Sequence, residues 1–160
     1  MPDGNDRRPP RLPRRRLVRL FWSAHRRVYR LTRGRVGLWR PKGRRWGTMC
    51  LTTVGRRTGR ERGVIVAYLE DGGNLVALAM NGWADAEPAW WLNLREHPDA
   101  RVELKGGPRL VRARAASGPE RERLWARWRQ TEARLDDLAA LRSRETAVVV
   151  LEPREPVAGR

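Results

Sequence analysis

Two hydrophobic periodicities divide this chain. Between residues 13 and 33, apolar side chains recur three and four apart, at Leu17, Leu20, Phe21, Ala24, Val28 and Leu31. Arg15, Arg16, Arg19, Arg26, Arg27 and Arg30 fill much of the remainder, a spacing that predicts a basic amphipathic helix. From residue 47 onward the pattern changes to short apolar runs separated by Gly, Pro, Asn and Asp, which predicts strands and tight turns. Thr48 to Val54 is the first strand. Gly63 to Leu69 and Asn74 to Met80 follow, joined by Asp71-Gly72-Gly73, residues that tolerate positive φ and so close a hairpin. Both of these strands are apolar on successive residues, which predicts cover on both faces. Arg101 to Leu104 and Arg109 to Ala115 alternate polar and apolar around Lys105-Gly106-Gly107-Pro108, a second hairpin with one wet face. Ala147 to Leu151 is the last strand.

Two helical patterns interrupt this series. Asp85 is expected to cap a short helix that starts near Pro88, carries Trp90, Trp91, Leu92 and Leu94, and stops at Pro98. Ser117 and Glu120 have the spacing of a capping box. The helix they open is expected to run to about Arg142, with Leu124, Trp125, Trp128, Leu135 and Leu138 near one face. Six strands paired as hairpins, with these helices among them, predict an α+β, mainly β fold: an antiparallel barrel with packed helices. The predicted organisation is a disordered basic N-terminus (1–12), the amphipathic helix (13–33), a Gly- and Arg-rich loop to residue 46, a barrel domain (47–153) and a tail (154–160).

The chain has 160 residues and a net charge of +17, so one domain with a single core is expected. Residues 1–47 hold sixteen Lys or Arg against two Asp, which places 14 of the 17 excess charges in the first third. Such a segment suits an anionic membrane surface or nucleic acid. The apolar stripe of the predicted helix can dock on the domain or lie on lipid, and the residues leave both open. Nucleic-acid binding is the less favoured alternative, because no recognition motif accompanies the arginines. Cys50 is the only cysteine, which excludes an intrachain disulfide and points to a reducing, cytoplasmic setting, with peripheral attachment to the inner membrane face as the variant. His25 and His97 lack the partners and spacing of a metal site or a nucleophilic triad. The apolar stretch Leu17 to Ala24 is interrupted by Arg19 and is too short to span a bilayer.

The chemistry concentrates in Leu51-Thr-Thr-Val-Gly-Arg-Arg-Thr-Gly-Arg-Glu-Arg62. An apolar strand ends in a hydroxyl pair, turns at Gly55, and presents Arg56, Arg57, Arg60 and Arg62 around Thr58 and Gly59. Glycines let the backbone approach a ligand. Guanidinium forks and a hydroxyl match phosphate or carboxylate oxygens in shape and charge. A polyanion is the ligand this turn fits; a solvated Arg-rich hairpin turn is the alternative the residues alone leave standing.

These motifs, together with Tyr68-Leu-Glu-Asp-Gly72, Asn81-Gly82, Pro88-Ala-Trp-Trp-Leu-Asn-Leu94, His97-Pro98 and Thr146-Ala-Val-Val-Val-Leu-Glu-Pro153, resemble the deazaflavin-dependent nitroreductase and quinone-reductase family of actinobacteria. The resemblance covers roughly residues 15 to 153. It implies a six-stranded split β-barrel that binds coenzyme F420, a deazaflavin with a phospholactyl group and an oligoglutamate tail; FMN in the same groove is the weaker alternative, since it offers one phosphate to four arginines. It implies that Arg56, Arg57, Thr58, Gly59, Arg60 and Arg62 hold the phosphate and glutamates, that Cys50, Leu51 and Thr52 line the groove, and that the backbone of Val64, Ile65 and Val66 meets the polar edge of the ring. Leu78, Ala79, Met80 and Asn81 would contact the ring from the third strand. Trp22, Trp83, Trp90, Trp91, Leu135 and Leu138 would shape the pocket of a small hydrophobic substrate. No side-chain nucleophile is needed, because hydride chemistry belongs to the cofactor. The chain departs from the nitroreductase pattern at Met80, where a serine is expected, at Trp83, where a glycine is expected, and at Ala67, Glu132, Leu135 and Leu138, where tyrosines are expected. Those changes remove hydroxyls and imply a bulkier, more apolar pocket suited to a quinone-like or other conjugated acceptor.

Overall fold

A computed structural model of the chain describes residues 37–155 together with Ala24 and Arg27. Six strands form: β1 Gly47–Val54, β2 Glu61–Asp71, β3 Asn74–Leu78, β4 Asp99–Leu104, β5 Gly107–Ala115 and β6 Val148–Pro153. They close into a barrel in the order β1-β2-β3-β6-β5-β4, with every neighbouring pair antiparallel. The expected barrel is therefore present. Closure leaves no unpaired sheet edge to be covered.

Strand alternation sorts the side chains into two layers. Met49, Leu51, Val66, Tyr68, Leu75, Ala77, Val102, Val111, Val149 and Leu151 point inward into one buried cluster. The helix α1, Ala89–Glu96, packs on β1 and β5 and adds Trp90, Trp91 and Leu94 to that cluster. The intervening positions Leu69, Val76, Leu78, Val148 and Val150 point outward and are covered by Leu124 and Trp128 of α2, Gly118–Thr131, and by Leu135 of α3, Leu135–Ala139. Strands β2, β3 and β6 are thus buried on both faces, as their unbroken apolar runs require. Burial of each large side chain contributes ~1.5–3 kcal/mol.

Several local expectations are corrected. The single helix expected to reach Arg142 is two. Glu132 leaves the helical region at φ −134° and ψ 95°, and its side chain accepts from the Arg134 N–H at 3.0 Å. The chain then restarts at Leu135, which turns into the outer cluster. Ser117 makes no side-chain cap, and Glu120 binds Arg114 of β5 instead, with bonds of 2.6 and 2.8 Å. A bidentate ion pair outcompetes the local box. Asp85 does not cap α1, whose N-cap is Pro88; its carboxylate accepts from the Ser143 N–H at 2.6 Å and the Ser143 hydroxyl at 2.7 Å. Strand β2 begins two residues before the expected Gly63, because Glu61 and Arg62 pair with Val54 and Thr53.

Ahead of β1, Trp39 pairs with Thr48. The Thr48 hydroxyl donates to the Gly37 carbonyl at 2.8 Å and accepts from the Trp39 N–H at 3.2 Å. Lys42 and Arg45 close a tight turn, and Trp39 packs on Trp46 at a centroid distance of 5.7 Å. Of the helix expected over 13–33, only Ala24 and Arg27 are among the described residues; both are helical and exposed.

Candidate functional site

The cationic turn is a closed loop. The Gly55 N–H donates to the Arg60 carbonyl at 2.8 Å, while the Gly59 and Thr58 N–H groups both donate to the Gly55 carbonyl, at 2.7 and 3.2 Å. Gly59 sits at φ +66°, a left-handed position that favours glycine. The turn is pinned from outside by Asn93 of α1, which is 4% exposed. Its Oδ1 accepts from the Arg56 backbone N–H at 3.1 Å and from the Arg56 guanidinium at 3.4 Å. Its Nδ2 donates to the Thr53 hydroxyl at 3.1 Å. Arg57, Arg60 and Arg62 stand exposed around this support.

Many of the described arginines on the barrel and on α2 are paired with carboxylates. Arg112, Arg114, Arg123, Arg127, Arg129 and Arg154 all have carboxylate partners. Among the described residues, no carboxylate pairs with Arg56, Arg57, Arg60 or Arg62. Four cations against the single carboxylate of Glu61 in this stretch give it a positive balance that attracts a polyanion.

Beside the turn lies the outer face of β1 and β2. Register sets Thr52 opposite Gly63 and Cys50 opposite Ile65, and all four belong to the outward set. Gly63 leaves a bare stretch of backbone in mid-strand. Gly63 is exposed, and a Cβ added there would meet Cys50 Sγ at 3.6 Å and Thr52 Oγ1 at 3.9 Å, ordinary contact distances. A glycine inside a strand marks close approach by a ligand or another backbone.

The other residues singled out in the sequence fall into three groups. Cys50, Thr52 and Ile65 line the outer face, with Leu78 buried in the outer cluster and Met80 and Trp83 half-buried against it; Asn81 is exposed. The side chains of Leu51, Val64, Val66 and Ala79 belong to the inner cluster, so any ligand contact there is through backbone. Trp90 and Trp91 also pack inward, edge to face at 6.4 Å and 7% exposed each, and so stabilise α1 rather than line the outer groove. Leu135 is fully buried and can serve only as a floor, Leu138 is half-buried, and Trp22 lies outside the described residues.

Three further residues shape the site without a clear mark in the sequence. Asn93 could have been noticed as a polar residue three positions after Trp90, on the face that α1 buries. Arg142 and Glu87 carry no such signal, since each sits in a charged, surface-like run. Arg142 is nonetheless 6% exposed. It donates to the Ala79 carbonyl at 3.0 Å and to the Thr146 hydroxyl at 2.8 Å, and lies 3.6 Å from Glu87. Next to it, hydrogen bonds from Ser143 hold the Asp85 carboxyl below its ordinary range.

The chain matches the family model described as F420H(2)-dependent quinone reductase over residues 22–153. It belongs to that family. Two relatives from Mycobacterium tuberculosis strain H37Rv bear the same description. One is 31% identical over 67% of this chain and 90% of its own length; the other is 31% identical over 81% of this chain and 88% of its own length. Among solved structures, an F420-H2 dependent reductase shares the fold with a TM-score of 0.57 at 24% identity, covering 66% of this chain and 93% of its own. A second, described as a domain-swapped dimer, has a TM-score of 0.61 at 23% identity and covers 85% and 99%. For this F420H(2)-dependent quinone reductase family member, the unpaired cations and the bare backbone at Gly63 fit an elongated anionic cofactor. Among the described residues, no group of His, Cys, Asp and Glu could hold a metal ion.

Proposed function

We propose that this protein is an F420H2-dependent oxidoreductase that reduces a hydrophobic, quinone-like acceptor. The observation that carries the reading is the cluster Arg56, Arg57, Arg60 and Arg62, with no described carboxylate within ion-pair distance, beside the exposed backbone at Gly63. Four fixed cations suit a phosphate followed by several carboxylates. FMN, with a single phosphate, would leave most of them unused.

When bound, reduced coenzyme F420 supplies hydride. The chain supplies position and environment. Arg57, Arg60, Arg62 and the Thr58 hydroxyl hold the anionic tail, and Asn93 keeps Arg56 and the turn in place. Thr52 and Cys50 flank the bare backbone at Gly63, where a flat ring can lie close. Met80 and Trp83, packed against the outer cluster, offer apolar surface to a conjugated acceptor and exclude water from it. The tail-binding part of the site sits on a rigid hairpin, whereas the acceptor side sits on the segment after β3.

An anaerobic assay with reduced F420 and a naphthoquinone tests this reading. Quinone-dependent oxidation of F420H2 is expected, with nitroaromatic acceptors turned over more slowly because Met80, Ala67 and Leu138 present no hydroxyl to a nitro group. Oxidation of neither acceptor class, with F420H2 bound, would contradict it.

A further inference from the structure

The segment between β3 and α1 is held by an arrangement that the barrel itself does not require. After its last ladder bond, from the Ala79 N–H to the Ala147 carbonyl at 2.9 Å, the chain turns sharply, and the Met80 N–H donates back to the Leu78 carbonyl at 2.9 Å. The Ala79 carbonyl thereby loses a strand partner and takes the Arg142 guanidinium instead. Asn81 and Ala84 then close a second turn at 3.0 Å, with both central residues at positive φ: Gly82 at +57° and Trp83 at +60°. Glycine tolerates this geometry, but a bulky aromatic residue rarely adopts it unless its surroundings impose it. Trp83 packs with Met80 and Trp125 against the outer cluster.

Two adjacent ties hold the flanks of this turn. Arg142 spans from the Ala79 carbonyl and Thr146 to Glu87, and its side chain has 0% exposure against 13% for Glu87. Ser143 binds the Asp85 carboxylate through both its N–H and its hydroxyl. Arg142 Nε and NH2 and Glu87 Oε2 are buried without a hydrogen-bond partner. Burying a guanidinium and a carboxylate with bonds unmade is costly, and what the pair fixes is the conformation of one segment.

We propose that Arg142 is a positioning residue for the acceptor, holding segment 79–87 in the strained geometry that sets Met80 and Trp83 against the outer groove. This rests on the reading that the acceptor binds there. Nη1 of the guanidinium donates to both the Ala79 carbonyl and the Thr146 hydroxyl while Nη2 faces Glu87, a two-nitrogen arrangement that a single ammonium does not reproduce.

The test uses the full chain and the variants Arg142→Met, Arg142→Lys, Glu87→Gln and Arg142→Met/Glu87→Gln. Amide hydrogen exchange of the peptide covering 80–87 is expected to quicken about tenfold in Arg142→Met and less in Glu87→Gln, with the barrel strands unchanged. Arg142→Lys should fall between Arg142→Met and the parent. The double variant should match Arg142→Met, since Glu87 acts through Arg142. In turnover, KM for a naphthoquinone should rise about tenfold while kcat and the F420 dissociation constant stay within about twofold. Exchange at 80–87 equal to the parent, or raised alike in every strand, would overturn the proposal, as would a loss confined to kcat or to F420 binding. If Arg142→Met does not fold, the isosteric Glu87→Gln decides the matter. Failure of the parent chain to bind F420 would overturn the functional reading by itself, whereas the exchange comparison judges the Arg142 tie independently of cofactor.

Discussion

At Gly63 a strand interior gives up side-chain packing, a loss of ~0.5–1 kcal/mol relative to alanine. A Cβ there would meet Cys50 Sγ and Thr52 Oγ1 only at ordinary contact distances of 3.6 and 3.9 Å. Gly63→Ala is therefore expected to leave thermal unfolding unchanged or to stabilise by up to about 1 kcal/mol, while weakening cofactor binding about tenfold by filling the approach to the backbone. A fall in stability with binding intact would show that the glycine serves the barrel rather than the ligand. Asn93 is the converse case. Removing its amide leaves the Arg56 N–H and the buried Thr53 hydroxyl without their partner, so Asn93→Ala should cost about 1–3 kcal/mol in urea unfolding and loosen the turn. Binding should then weaken although no residue of the cationic set has changed. Unaltered affinity in folded Asn93→Ala would show that the turn needs no anchor.

Among the elements, α2 is held on the sheet by apolar contacts and by ion pairs at its first turns. Asp71 accepts from Arg123 at 2.8 and 2.9 Å and from Arg127 at 2.9 Å, and hydrogen bonding to Arg123 holds its carboxyl below the ordinary range. Arg114 does the same for Glu120. A depressed folded-state pKa means that the stabilisation is complete above the ordinary carboxylate pKa and disappears as pH falls through the folded-state value. Stability should thus decline between about pH 5 and pH 2. Because the arginines are largely exposed, solvent screening keeps the contribution of each pair small. Asp71→Asn should be slightly less stable at neutral pH and should show a shallower acid decline; an unchanged slope in urea midpoints against pH would contradict this. The strands were legible in the sequence because apolar runs and turn glycines act locally. The break between α2 and α3 was not, because the apolar spacing continues through it. Tertiary partners decide it: Leu135 enters the outer cluster, and Asp136 is bound by Trp125 and Arg129. Likewise, the Ser117–Glu120 spacing was a sound local signal overruled by Arg114 from another element. The cationic turn can be read directly, whereas the bonds that Asn93 and Arg142 make reach partners 37 and 63 positions away.

At the scale of the molecule, the described arginines divide into those paired with carboxylates and those that are not. Strand β1 separates two basic turns, at 42–45 and 56–60, by roughly 25 Å. The second of these is tied to α1 through Asn93 and leads into β2 and Gly63, the place proposed for the cofactor's anionic tail. Binding of a polyanion to that end should weaken as ionic strength rises, because exposed charges are screened. Deletion of residues 1–16, which removes six arginines, should leave that binding in place if the 47–153 barrel domain carries it. Loss of cofactor affinity on deletion would assign part of the site to the basic segment.

The most direct measurement is a fluorescence titration of the purified protein with coenzyme F420 and, separately, with FMN, repeated for Arg57→Ala/Arg60→Ala. The account predicts F420 binding in the micromolar range, roughly −8 kcal/mol, weakened at least about tenfold by the double substitution, with FMN bound more weakly and less affected. F420 affinity that is absent, or that is indifferent to the loss of both arginines, would contradict it.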